Sequence, residues 1–349
     1  MNFDKNISIS DLAWNLVPYY GEKAEKKTFS DIKRHDRFTV SSKISQRIFL
    51  MIEKIFQDYL NDVEFVELSP LQPLGINCVL AGTNGKKIIP TIRGQEINSD
   101  ATTALFLEAY RNLNSSEEIR LATNVRTIRP KIFDEKSKFL THFKVFAEIT
   151  IGRQVSPFGE KEVFMIARHL MDEIAVLKSI RTKIKNNIRE VLGFNVYISN
   201  LFFFKSILSS MTERKSQNDV IEAKRIWEES GLPAQLILNS NTVDELKTLG
   251  FYKGIRVLEM FLRALFGQVD FHNDANVNWF FDLSRSAGIN YYRHIAYKIT
   301  AVSSDNLELP LADGGSNDWG AKISNDKQIF TVSSGVGTEL LIQNFLRLA

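Results

Sequence analysis

Apolar residues recur at intervals of three and four from Ile44 through Ile48, Met51, Ile52, Ile55, Phe56 and Tyr59, which predicts an amphipathic helix reaching about Leu60. Val63, Phe65, Val66 and Leu68 then read as a strand that Pro70 ends, because proline has no N–H for the ladder. The helical period returns in Leu105, Phe106, Ala109 and Tyr110, behind a cap at Ser99 or Asp100. It returns again in Val163, Ile166, Ala167, Leu170, Ile174 and Leu177, with Glu160 and Glu162 near the positive end and a continuation to Val191. Between these helices the period is two. Phe143, Val145 and Ala147 alternate with Lys144, Phe146 and Glu148, and a strand carrying Arg126 and Arg129 precedes them across the hydrophilic loop Phe133 to Lys138, so a hairpin is expected. Lys86 to Arg93 reads as another strand after the Gly82 to Gly85 turn.

Towards the C-terminus Phe280, Phe281 and Leu283 read as strand residues. Tyr291, Tyr292, Ile295, Ala296, Tyr297, Ile299 and Ala301 form a second such run beyond a turn at Ala287-Gly288. Asp313-Gly314-Gly315 reads as a further turn, and Gly335-Val336-Gly337 as the passage from a strand into a final helix. The fold class is therefore α+β, a hairpin-rich antiparallel platform closed by a helix. At the other end, SDLAWNLVPYYG reads as one short helix stopped near Pro18 and Gly21, followed by a charged segment expected to be a solvated arm or a dimer edge. Residues 212–265 read as helical, with a break at Gly231-Leu232-Pro233, and Phe202, Phe203 and Phe204 as core-filling residues rather than a base-stacking platform.

Composition narrows the function classes. The 349 residues are 44% hydrophobic and 11% aromatic, enough for a sizeable core and incompatible with wholesale disorder. A net charge of +3 is too small an excess to argue for nucleic acid. The single cysteine, Cys78, excludes an internal disulfide framework and a multi-cysteine zinc site, and is expected as a buried thiol beside a strand. His35, His142, His169, His272 and His294 show no ligand spacing, so no metal and no cofactor is expected, and His169 reads as structural or surface. No apolar run approaches about 18 residues, which argues against a membrane span and for a cytoplasmic protein.

FFDLSRSAGINYYRHIAYKI resembles the family-specific segment of histidyl-tRNA synthetase, an Arg-Gly-Leu-Asp-Tyr-Tyr-Thr-Gly run after an Asp-Leu strand. ADGGSNDWG resembles the family's Gly-Gly-Arg-Tyr-Asp segment, SSGVGTELL the third class II motif, and the hairpin around Arg126 and Glu148 the second. The helix, strand and proline over 44–70 resemble the first motif, whose family role is the dimer interface. Asp100-Ala101-Thr102 resembles the acidic residue, variable residue and threonine that contact the amino acid, although an N-cap explains the same residues. The resemblance implies a class II aminoacyl-tRNA synthetase-like sheet flanked by helices, with an N-terminal arm over 1–40, a core over 41–200 and 266–349, a helical insertion lobe over 201–265, and no anticodon-binding domain. It implies an amino-acid pocket formed by Asp100, Thr102, Arg126, Glu148, Arg285, Tyr291 and Tyr292.

The departures are concentrated where phosphate chemistry would be. Ala287, Ser316 and Leu340 fall on family arginines, and Thr141, His142, Phe143 and Val145 on the Arg-Glu-Phe and glutamine of motif two. Arginine's rigid fork is what neutralises an α-phosphate during adenylation. Arg285 and Arg293 flank the tyrosines as partial replacements. The implied function is a non-catalytic histidyl-tRNA synthetase paralogue acting as a homodimeric regulatory or scaffold subunit, similar to the regulatory subunit of short-form ATP phosphoribosyltransferase in histidine biosynthesis. It would join a separate catalytic subunit and take histidine or another amino acid. The alternatives are an ATP-dependent amino-acid or amide ligase on a repurposed site, a purely structural homodimer, and a tRNA-binding paralogue.

Overall fold

Pro18 does not end the first helix. In the computed structural model, which describes residues 7–33, 36–114, 118–130, 140–154, 159–183, 191–205, 225, 227–229, 231–267, 276–304 and 307–345, α1 runs Ile9–Glu25 straight through Pro18 and Gly21. Ser8 caps it by accepting the Asp11 N–H, and α2 (Phe29–Ile32) starts with a Thr28–Asp31 capping box. Neither helix has a buried residue. The expected loop from Phe133 to Lys138, the continuation over 184–190 and the segment 212–224 lie outside the described residues.

From Ser45 the chain follows its apolar period. α3 (Gln46–Tyr59) buries Phe49, Ile52, Ile55 and Phe56, and Phe56 stacks on Phe146 with ring centroids 4.1 Å apart. β1 (Glu64–Phe65), β2 (Leu71–Pro73), α4 (Ile76–Val79) and β3 (Gln95–Ile97) follow. Lys86 to Arg93, expected as a strand, is instead a 3-10 turn over Gly85–Lys87 and irregular chain, and Cys78 sits half-buried on α4 rather than interior beside a strand. α5 (Ala101–Asn112) leads into the expected hairpin of β4 (Ile119–Ile128) and β5 (His142–Arg153), then α6 (Glu160–Lys183).

Val191, expected to end a helix, begins β6 (Val191–Asn200), and Phe203 and Phe204 are buried as core. The segment expected to be only helical also supplies a strand, β7 (Gln235–Ile237), before α7 (Thr242–Thr248) and α8 (Ile255–Phe266), and α8 packs on α6. β8 (Val277–Asp282), β9 (Ile295–Ser303), β10 (Glu308–Asn317), α9 (Trp319–Ser324), β11 (Ile329–Val336) and α10 (Thr338–Phe345) complete the described elements.

Nine strands pair in the order β1-β4-β5-β11-β10-β9-β6-β8-β7, antiparallel except at β1–β4 and β6–β8. β8 and β9 are not the hairpin their adjacency suggests, because β6 is inserted between them. Tyr291 and Tyr292 are not strand residues either. Gly288 has φ +78°, and its carbonyl accepts both tyrosine N–H groups, so the pair rides a tight turn ahead of β9.

Gly314 and Gly315, expected in a turn, lie inside β10. Their small size is demanded from across the sheet. A Cβ on Gly314 would press into the Tyr297 ring and come within 2.7 Å of Ser334 Cβ, and one on Gly315 would sit 2.5 Å from the Ile295 carbonyl oxygen. Gly314→Ala is expected to lower stability by about 1–3 kcal/mol through overpacking; an unchanged urea midpoint would show that Tyr297 swings aside freely.

Strand alternation gives the sheet two different faces. α3, α6 and α10 cover one, with Phe146, Val332, Ile299 and Tyr297 in its core. α5 and Trp319 cover part of the other, against Val125, Ala147, Ile149 and Ile329, and the Tyr291–Tyr292 turn lies on that side.

Candidate functional site

Asp100 is the N-cap of α5. Its carboxylate accepts the Thr102 N–H at 3.1 Å and the Thr102 hydroxyl at 2.6 Å. Since that hydroxyl has one proton, the Tyr291 hydroxyl must donate to Thr102 Oγ1, which it contacts directly. Burial, and then the nearby Asp100 charge, push the Tyr291 phenol well above its usual range, so it stays a donor. The ring is walled by Trp319 at 5.0 Å, whose indole N–H is spent on the Leu80 carbonyl at 2.8 Å. Capping and ligand contact, both considered for Asp100-Ala101-Thr102, thus meet at one spot, with the cap realised.

Tyr292 stands edge-on to Tyr291, the centroids 4.8 Å apart, and joins a second group. Arg285, 8% exposed, reaches both Asp313 oxygens through Nη2 at 3.0 and 2.8 Å and donates Nε to the Ala287 carbonyl at 3.0 Å. Its guanidinium lies 5.6 Å from the Tyr292 ring centre. Burial, then Asp313, raises the Tyr292 phenol well above its usual range. Arg285 Nη1 is buried and has no hydrogen-bond partner, leaving one open donor beside the tyrosines.

Arg126 and Glu148 are elsewhere. Both point from even-numbered positions of β4 and β5 to the α6 side, away from Thr102 and Tyr291. Arg126 meets Glu339 at 3.0 Å and His142 Nδ1 at 2.9 Å, and His142 in turn contacts the Val40 carbonyl at 2.6 Å. Glu148 is fully buried, 2.6 Å from Arg120 and 3.2 Å from His169 Nε2. Burial raises its pKa, against the pull of Arg120. The structure therefore brings five of the seven candidates to one face of the sheet and leaves two on the other.

Arg129 is the cation that sequence reasoning passed over. Its Nε donates to the Ser99 carbonyl at 2.9 Å, beside the Asp100 cap, and its guanidinium lies 5.4 Å from the Phe143 ring centre. The odd-numbered position, opposite in parity to Arg126, was the available signal. Arg293 faces the α6 side, where it acts on Glu162 rather than on the tyrosine hydroxyls.

His169 is buried rather than at the surface, hydrogen-bonded to Thr150 Oγ1 at 2.7 Å and Ser334 Oγ at 3.0 Å. Burial first, then Arg120, lowers its pKa to about 3. The unfolded histidine takes a proton below about pH 6.5, whereas the folded one resists to about 3, so its contribution to stability is lost as pH falls through that window. Between pH 7 and 5 this single group should cost about 2 kcal/mol. His169→Gln should flatten the acid slope of urea-measured stability by that amount; an identical slope would exclude the histidine.

Among the described residues, no group of three or more His, Cys, Asp or Glu could hold a metal ion, and no helix is long and apolar enough to cross a membrane.

A largely antiparallel sheet with the hairpin β4–β5 beside a glycine-bearing β11 and its following helix is a class II aminoacyl-tRNA synthetase-like fold, shared with three solved structures. A solved structure described as an ATP phosphoribosyltransferase regulatory subunit/histidyl-tRNA synthetase from Bacillus halodurans C shares it with TM-score 0.66 and 13% identity, over 91% of this chain and 84% of that one. Histidyl-tRNA synthetase from Nostoc sp. PCC 7120 matches with TM-score 0.59 and 15% identity, over 88% and 74%. A histidine–tRNA ligase subunit from Alicyclobacillus acidocaldarius subsp. acidocaldarius DSM 446 matches with TM-score 0.58 and 12% identity, over 91% and 98%. At such identities the likeness is one of fold. No family model matches the chain, and no curated protein matches it.

Proposed function

We propose that this chain is a non-catalytic histidyl-tRNA synthetase paralogue, a cytoplasmic homodimer that regulates or scaffolds a separate enzyme, with the catalytic subunit of ATP phosphoribosyltransferase as the candidate partner. The reading rests on the cations around Tyr291 and Tyr292. Ala287, beside them, stands where the resembling family has an arginine, Arg285 Nη2 is bound to Asp313, and Arg129 Nε is bound to the Ser99 carbonyl; Ser316 and Leu340 fall on two more of the family's arginines, and Ser316 lies on the α6 side of the sheet. Removing one preorganised donor from a reacting oxyanion costs about 3 kcal/mol of barrier stabilisation, so a site depleted in this way is poorly suited to adenylation. It remains suited to a small amino acid. Thr102, Tyr291 and the Arg285 Nη1 donor offer polar groups beside aromatic walls. Dimerisation is supported by exposed Leu50, Met51 and Tyr59 on α3, the helix that resembles the family's interface motif.

The deciding experiment is gentle purification of the tagged protein from its own cells with quantitative mass spectrometry of what remains bound. A phosphoribosyltransferase catalytic subunit at fixed stoichiometry is the expected result, and recovery of this chain alone would overturn the partner assignment. Histidine is the first ligand to titrate; Tyr291→Phe should weaken its binding by about 1–3 kcal/mol if the phenol serves a buried ligand group. The open Arg285 Nη1 favours a second reading, an ATP-dependent amino-acid or amide ligase. Exchange of labelled pyrophosphate into ATP with any amino acid would establish it, and its absence across all of them would exclude it.

A further inference from the structure

On the α6 side of the sheet, away from Thr102 and Tyr291, a cavity opens between the start of α6, the start of α8 and the chain leading into β9. Its volume is about 170 Å³, well above the roughly 10–15 Å³ that one water needs. The polar residues lining it are Gln154, Glu162, Arg256, Arg293, His294 and Ser316.

Three of these groups are buried at a cost that the surrounding chain offsets only in part. Glu162 is 5% exposed, and burial raises its pKa despite the opposing charge of Arg293. Ser316 is completely buried and lies against Glu162, yet its Oγ makes no hydrogen bond of ordinary length. The Gln154 Oε1 is likewise buried with no partner. His294 is held neutral, its pKa lowered to about 4 by burial first and Arg293 second, so it faces the cavity as a neutral ring rather than a third cation. An acid and two guanidinium groups thus share one small space with unsatisfied neutral acceptors and donors.

We propose that this cavity is a binding site for a small zwitterion of free amino-acid size, its ammonium group on Glu162 and Ser316 and its carboxylate on Arg293 and Arg256. A cation on Glu162 would restore the charge that burial disfavours, and the planar guanidinium forks match a carboxylate. A ligand with only one charge would leave the opposite partner buried and unmatched. The site is separate from the Tyr291–Tyr292 cluster and does not depend on whether that cluster binds a ligand.

The test uses the full chain, with each of the twenty free L-amino acids titrated calorimetrically at pH 7 and ethylamine and propionate as single-charge controls. At least one amino acid is expected to bind. Glu162→Gln and Arg293→Gln should each weaken it tenfold or more, while Tyr291→Phe leaves it unchanged. Neither control should bind within tenfold of the amino acid. If Glu162→Gln fails to fold, as judged by its thermal transition, Arg293→Gln alone carries the comparison. The proposal is overturned if no amino acid binds, if binding survives both substitutions, or if propionate binds as well as the amino acid. Loss of binding in Tyr291→Phe alone would move the ligand to the other face and leave this cavity without one.

Discussion

Arg120→Met should lower the unfolding free energy by about 3–5 kcal/mol, read from urea denaturation, because it strands a buried charge. Arg120 Nη2 meets Glu148 at 2.6 Å and Asp172 at 2.8 Å, and Nη1 meets Asp62 at 2.8 Å. Glu148 has no exposure, so water cannot take over when the guanidinium goes. Methionine keeps much of the side chain's length and apolar contact, which isolates the charge. The double variant Arg120→Met/Glu148→Leu should recover part of the loss, since removing both members of a buried pair also removes the orphan. A single-variant loss below about 1 kcal/mol would mean that the carboxylates simply take up protons, and the network would count for little.

Glu339→Ala should cost about 2–4 kcal/mol. This glutamate, 2% exposed, accepts the Ser42 hydroxyl at 2.6 Å, the Lys144 N–H at 2.9 Å and Arg126 Nη1 at 3.0 Å. It therefore ties the start of α10 to β5 and to the segment ahead of α3. Arg126 is about one-third exposed and can rehydrate, which holds the figure below that for Arg120. Glu339→Gln, which retains an acceptor but no charge, should fall between. Hydrogen exchange should speed up at Lys144 in the alanine variant; unchanged protection there would detach the glutamate from the strand's stability.

The helices α3, α5 and α6 could be read from sequence because their signal is local: an apolar stripe, with Ser45 or Asp100 as a short acceptor where α3 or α5 begins. Partners across the sheet could not. Gly314-Gly315 carries the mark of a turn, and it is residues on the neighbouring strands, Tyr297 and Ser334 against Gly314 and Ile295 against Gly315, that explain why glycine is needed in the middle of β10. Nothing in the run from Phe280 to Ala301 shows that β6 will separate its two halves.

The site was legible in part. Asp100, Thr102 and the tyrosine pair lie near helix caps and turns, where local rules hold. Arg126 and Glu148 were misplaced although the alternation of Phe143, Val145 and Ala147 already put Glu148 on the other face. Glu148 is one residue off the family's acidic position, and only a bulge would return it to the tyrosine face; β4 and β5 pair without one. Arg129, with the right parity, is where the structure puts a cation near Asp100.

The strand order also has a consequence for biosynthesis. β5 pairs with β4 on one side and with β11 on the other, so after the hairpin has emerged from the ribosome one edge of β5 stays open until residues 329–336 have been made. An unpaired strand edge is a template for any other extended chain. During that interval the nascent hairpin, with Phe146 and Ile149 not yet covered by the later strands, is open to wrong pairing with a neighbour on the same message, and a chaperone would have reason to hold it.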